Sequence, residues 1–131
     1  MAADVAVQPD IEAHVWSQLK AIGGIRSWVD AATVDHPPWQ TRYEFQIDAR
    51  ASDRGTARER AWEACYVMLR LPSITWDEGV ITYVQPTIGP SWLPDGDGPP
   101  RYVARYEVRC HPAGFVPAAV AAGLLEMEGS S

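Results

Sequence analysis

The chain has 131 residues, with 17 Asp and Glu against 11 Lys and Arg, for a formal charge of −6 at neutral pH. At 47% hydrophobic residues and six tryptophans it is too apolar and aromatic for a disordered chain, and its length fits one domain that can bury a core. The acidic balance argues against non-specific nucleic-acid binding, which draws its affinity from phosphate neutralisation.

Asp10 opens the first helical pattern. Ile11, Val15, Leu19 and Ile22 recur at helical spacing on one face, and Gly23-Gly24 ends the run, as glycine just past a helix commonly does. Ile25 to Val34 reads as a short strand, and His36-Pro37-Pro38 then forbids regular pairing. Arg42 to Arg50 is the clearest strand. Tyr43, Phe45, Ile47 and Ala49 share one face, while Arg42, Glu44, Gln46, Asp48 and Arg50 share the other, the alternation of a half-buried strand.

Ser52 or Asp53 is expected to cap a second helix running to about Leu71, with Thr56 and Glu59 as an alternative capping box. Ala57, Ala61, Ala64, Met68 and Leu71 form its apolar stripe, flanked by Trp62, Cys65 and Leu69, and Pro72 closes the segment. Val80 to Gln85 is expected to be a short strand, followed by a loop from Pro86 to Pro100 that holds five of the eleven prolines. Arg101 to His111 is the second clean strand. Tyr102, Ala104, Tyr106, Val108 and Cys110 alternate with Arg101, Val103, Arg105, Glu107, Arg109 and His111.

This order of elements predicts an α+β fold: a mostly antiparallel sheet of about four strands with two helices packed on one face. A single domain is expected over residues 1–111. Residues 112–131 form an Ala-rich tail, read either as a short helix between Ala118 and Glu126 or as a docking arm.

Residues 1–9 carry no cationic stretch of a signal peptide. The longest weakly polar run, Phe115 to Leu125, is about half the ~20 residues that span a bilayer. Cys65 and Cys110 both fall inside apolar patterns, where a free thiol behaves as a small buried hydrophobe. The chain therefore reads as intracellular and reduced, with no membrane partner.

The search for chemistry is largely negative. Nucleophile-elbow, phosphate-loop and zinc-protease motifs are absent. Cys110 and His111 are strand neighbours and point to opposite faces, so they do not share a metal. Asp95-Gly96-Asp97-Gly98 has the flavour of a calcium loop, but the twelfth position from Asp95 is Tyr106 rather than a bidentate glutamate, and a turn explains it. Glu44, Asp48 and Glu107 lie among arginines, where cross-strand pairing of opposite charges accounts for them without catalysis. No catalytic set, metal or cofactor is expected.

Two surfaces stand out as interface candidates. One is the charged sheet face: Arg42, Glu44, Asp48 and Arg50 with Arg101, Arg105, Glu107 and Arg109, where arginine supplies directional contacts to a neighbouring subunit. The other is the proline-stiffened loop carrying Trp92, Leu93, Pro94 and Asp95. Long connections are often functional, and tryptophan is enriched at interface hot spots.

The order of elements resembles the tail terminator, or tail completion, proteins of long-tailed bacteriophages. The resemblance covers residues 10–111. It rests on an N-terminal helix followed by a short strand, then the strand Tyr-Glu-Phe-Gln-Ile-Asp-Ala-Arg leading through Ala-Ser-Asp-Arg into the helix Gly-Thr-Ala-Arg-Glu-Arg-Ala-Trp-Glu-Ala. A strand from Gly79 and the late strand Arg-Tyr-Val-Ala-Arg-Tyr-Glu-Val-Arg complete it. Members of that family form a ring, usually hexameric, that caps the tail tube, stops its polymerisation and offers a surface to the filled head.

The resemblance implies a structural virion protein, assembled in the host cytoplasm, with no catalytic residues. Its implied partners are copies of itself, the tail tube protein and a head–tail connector or stopper. Genome DNA would pass through its channel without specific binding, as the negative charge suits. A ring needs two different patches per subunit, for which the charged face and the Trp92 segment are candidates. The competing readings are another phage neck or tail-completion factor, and a small ligand-binding or enzymatic domain. In the last case a cavity between sheet and helices would be lined by Tyr43, Tyr83, Tyr102 or Tyr106.

Overall fold

In the computed structural model, residues 9–34, 40–94 and 98–112 are described. The first helix, α1 (Ile11–Leu19), starts where the Asp10 carboxylate accepts a hydrogen bond from the Ala13 amide at 3.0 Å. This N-cap satisfies one of the amides that the first turn leaves without a helical partner. Ile11, Val15 and Leu19 are buried together with His14. Past the helix, Gly23 and Gly24 both adopt positive φ, at 83° and 67°. Gly24 is further confined because a Cβ there would overlap the Arg50 carbonyl oxygen and the Arg60 guanidinium. Its own carbonyl accepts from the Arg50 amide at 2.9 Å, which locks the turn to the end of a strand.

Strand β1 (Ile25–Val34) pairs with β2 (Thr41–Arg50), helix α2 spans Arg54–Arg70, a single 3-10 turn covers Leu71–Ser73, and β3 (Gly79–Leu93) is followed by β4 (Arg101–Pro112). The four strands form one sheet in the order β1-β2-β4-β3, with every neighbouring pair antiparallel. Because β4 is inserted between them, β2 and β3 run parallel and α2 is the crossover that joins them, a split β-α-β unit. The expected α+β fold is thus the observed one. No described helix is long and apolar enough to cross a membrane. The His36-Pro37-Pro38 break and residues 113–131 lie outside the described residues.

Of the three candidates, Asp53 is the cap of α2, in place of Ser52 or the Thr56–Glu59 box. Its carboxylate accepts from both the amide and the hydroxyl of Thr56 at 2.8 Å, and these bonds hold the carboxyl below its ordinary pKa. Ala57, Ala61 and Ala64 are buried against the sheet, so small side chains set the closeness of helix and strands. The rest of the core comes from the apolar faces of β2 and β4. Phe45, Tyr106, Val108 and Cys110 are 0% exposed, as are Val15, Leu19, Met68 and Leu71. Both cysteines are free and buried, and burial pushes the Cys110 thiol up to about 11.

The expected loop from Pro86 to Pro100 is corrected by the structure. Strand β3 continues through Pro86 and Pro90 to Leu93, giving 15 residues in place of a short strand. It tolerates prolines because it is an edge strand with β4 as its one neighbour, where a missing N–H need not break a ladder. It is also irregular, with register shifts at Ile81/Tyr83, Pro86/Ile88 and Ile88/Ser91 that absorb Pro90 into a bulge.

Candidate assembly surface

Helices α1 and α2 cover one side of the sheet, and among the described residues nothing covers the other. On that open side β2 presents Arg42, Glu44, Gln46, Asp48 and Arg50, and β4 presents Arg101, Val103, Arg105, Glu107 and Arg109. The structure therefore gathers all eight charged candidate residues onto one surface. Their register departs from the expected pairing of opposite charges. Arg42 lies opposite Arg109, Glu44 opposite Glu107, and Arg50 opposite Arg101. Like faces like because both strands carry charge at the same steps of a period-2 pattern, and register is fixed by the buried side, where Phe45 meets Tyr106.

Neutralisation runs diagonally and along the strands instead. Arg101 Nε sits 2.9 Å from Asp48 Oδ2, with the aspartate side chain only 5% exposed. Gln46 donates to the other Asp48 oxygen at 3.2 Å and accepts from Arg105 Nη2 at 3.2 Å. Arg105 also lies 3.6 Å from Asp30 on β1, whose second role is to accept from the Trp28 indole at 2.8 Å. Arg109 bonds Glu107 at 2.6 Å and stacks its guanidinium 4.5 Å from the Tyr83 ring. The face is therefore divided. At one end Asp48 is buried beneath Arg101, while in the middle Glu44 and Arg105 remain exposed.

Beside this exposed part lies an apolar hollow of about 180 Å³ lined by Gln46, Ile88, Leu93, Val103, Ala104 and Arg105. Ile88 is 50% exposed and Leu93 39% exposed, so the charged face carries a hydrophobic centre. The sequence pattern did not reveal this, because Ile88 sits in a stretch read as loop. The bulges of β3 turn Ile88 and Leu93 to the open side, opposite Arg105 and Arg101.

The Trp92 segment is not one continuous anchor. Trp92 and Leu93 are consecutive strand residues and face opposite sides. Trp92 pairs with Tyr102 on the helix side, where the Arg54 guanidinium lies 3.9 Å from its ring and Arg54 Nε donates to the Tyr102 hydroxyl at 3.3 Å. It is 45% exposed, so one side of the ring closes the start of α2 and the other meets solvent. Pro94 follows the strand and is exposed. Asp95 lies outside the described residues.

The tyrosines considered as a cavity lining do not converge. Tyr43, Tyr102 and Tyr106 are buried in the layer between sheet and helices, whereas Tyr83 is on the open face beneath Arg109. Burial beside the Cys65 thiol pushes the Tyr106 phenol upward, so it stays protonated. Among the described residues no three His, Cys, Asp or Glu side chains gather as metal ligands.

A second exposed feature was hidden in the sequence reading of α2. Trp62 and Leu69, read as flanks of the buried stripe, are 39% and 45% exposed and form an outer row with Tyr66 at 61%. The signal was available in the sequence: positions 62, 66 and 69 repeat at i, i+4 and i+7, displaced from the buried row of Ala57, Ala61, Ala64 and Met68. No protein-family model matches the chain, and no curated protein matches it in sequence.

Proposed function

We propose that the chain is a structural, non-catalytic ring subunit of the tail terminator kind, acting through contacts to its own copies, the tail tube and a head–tail connector or stopper in the virion neck. The observation that carries this reading is the uncovered sheet face. Helices protect one side of the sheet, yet the other side combines a hydrophobic centre at Ile88 and Leu93 with an exposed, alternating belt around Glu44 and Arg105. An apolar centre ringed by polar groups is the anatomy of a protein interface, and arginine with carboxylate gives such a contact its direction. Like charges set opposite one another on this face also favour a partner of different pattern over a self-identical contact, as a head-to-tail ring requires. The charge of −6 suits a channel through which DNA slides without being held.

The test is the mass of the purified chain, alone and mixed with tail tubes, by light scattering and electron microscopy. A closed ring, or a monomer that joins tube ends and fixes tube length, supports the proposal. A ring that leaves tube length unchanged points to another neck factor. A monomer or dimer indifferent to tubes and carrying a bound small molecule returns the chain to the ligand-binding class. Ile88→Asp with Arg105→Glu is expected to abolish assembly while lowering thermal stability only by the value of an exposed ion pair, about 1 kcal/mol, since Arg105 lies 3.6 Å from Asp30.

A further inference from the structure

The two ends of the sheet carry opposite charge at their rims. At one end β2 stops at Arg50, opposite Arg101 where β4 begins, and β1 starts beside them. Helix α2 begins there too: Arg60 Nη1 donates to the Arg50 carbonyl at 2.8 Å, and Arg54 lies over Trp92. Arg58 is exposed one turn along from Arg54. Lys20, where α1 stops, joins this rim because the Gly24 carbonyl is tied to the Arg50 amide. Among the described residues the carboxylates here are few. Asp48 is buried beneath Arg101, Asp53 is engaged as the cap of α2, and Glu59 is exposed. Residues 95–97 lie outside the described residues.

The opposite rim is acidic. The Asp10 amide donates to Glu78 Oε1 at 3.1 Å, which ties the start of α1 to the approach to β3, and Asp77 is adjacent in the chain. Asp10, Asp77 and Glu78 are all exposed. The cations on this side are Arg70 in the last turn of α2 and, on the open sheet face, Arg42 and Arg109 beside Glu44 and Glu107.

The ten residues of β2 connect the two rims, a span of about 30 Å. Exposed charges are screened over roughly 8 Å at physiological ionic strength, so a partner meets each rim as a separate patch. A long polyanion such as duplex DNA would lie against the rest of an acidic molecule as well as this rim. A second copy instead offers a compact set of carboxylates, which arginine pairs in a directed fork.

We infer that the basic rim around Arg54, Arg58 and Lys20 docks the acidic rim around Asp77 and Glu78 of a second copy of this chain. The two patches are unlike, so the contact is heterologous, the kind that closes a ring or extends a filament. Trp92 stands in the basic rim as its apolar element. The inference rests on the proposed self-association and adds a copy-to-copy contact to the one proposed on the open sheet face.

Sedimentation of the purified chain, without tail tubes, tests it. The association constant is expected to fall at least about tenfold between about 50 and about 500 mM salt as screening tightens. Lys20→Glu/Arg58→Glu and Asp77→Arg/Glu78→Arg should each abolish association while the melting transition is kept, since all four side chains are exposed. Mixing the two variants should restore it, because the reversed rims complement each other again. A mixture that stays monomeric overturns the inference, as does an unmodified chain that is monomeric at low salt. Association that ignores both double substitutions places the contact elsewhere and overturns it with the ring reading intact. Duplex DNA bound by the monomer and lost in Lys20→Glu/Arg58→Glu assigns the basic rim to phosphates and also overturns it. Restored rings that leave tube length unchanged support the rim contact while removing the terminator reading.

Discussion

Removing the Arg101 guanidinium should destabilise the fold far more than its place on a charged surface suggests. Asp48 is 3% exposed overall, and its carboxylate has Arg101 at 2.9 Å on one oxygen and the Gln46 amide at 3.2 Å on the other. Arg101→Met keeps the aliphatic stem but leaves a buried carboxylate with one neutral donor. Stripping the partner from a fully buried pair costs about 3–5 kcal/mol. The Arg101 side chain is 19% exposed, so water reaches the vacated site and the expected loss falls to about 2–3 kcal/mol. For a domain of this size that is roughly 6–15 °C in Tm. Asp48→Asn, which keeps the amide contact and frees the arginine to reach solvent, should cost only about 1 kcal/mol. The double variant should cost less than the sum of the two. Urea and thermal unfolding of all four proteins measure the coupling. A loss under about 0.5 kcal/mol for Arg101→Met, or simple additivity, would mean that the pair behaves as a surface pair and that the reasoning from burial is wrong.

Three further outcomes are expected. His14 is buried and stacked 4.5 Å from Trp76. Desolvation lowers its pKa, with Glu78 opposing, so the unfolded chain binds the proton more readily. Stability should therefore fall with pH below about 6.5 until the folded-state pKa is passed, by at most about 1.4 kcal/mol per pH unit. His14→Phe should flatten Tm between pH 7 and 5 relative to the unmodified protein, and identical slopes would discount this histidine. Gly24→Ala should cost roughly 3 kcal/mol or more, against about 1 kcal/mol for Gly23→Ala. Both have positive φ, but a Cβ at Gly24 alone meets the Arg50 carbonyl; equal losses in denaturant melts would remove the steric argument. Trp92→Ala should cost only about 1 kcal/mol, the value of an exposed cation–π stack with limited packing, while impairing assembly. A loss above about 3 kcal/mol would make Trp92 a core residue.

The sequence alone determined the fold class, because the two strands that build the core announce themselves. Tyr43, Phe45, Ile47 and Ala49, and Tyr102 through Cys110 at alternate steps, are the residues found buried, since a period of two has only one way to hide its apolar side. The start of α1 at Asp10 was legible too, being local chemistry between a carboxylate and amides a few residues away, while at α2 the sequence left Ser52, Asp53 and Thr56 open and the structure chose Asp53. Strand β3 was not legible past Gln85. Proline forbids a central strand but not an edge strand, and which strand lies at the edge is decided by the sheet order. The arrangement of charge was hidden for the same reason. The charged residues could be assigned to a face from alternation, but a register set by distant core contacts decided that Arg42 meets Arg109 and that Asp48 is buried beneath Arg101. The acidic composition described a surface without saying where its charges lie; tertiary structure places Arg42, Arg50, Arg101, Arg105 and Arg109, with Glu44, Asp48 and Glu107, on the sheet face that the helices leave uncovered.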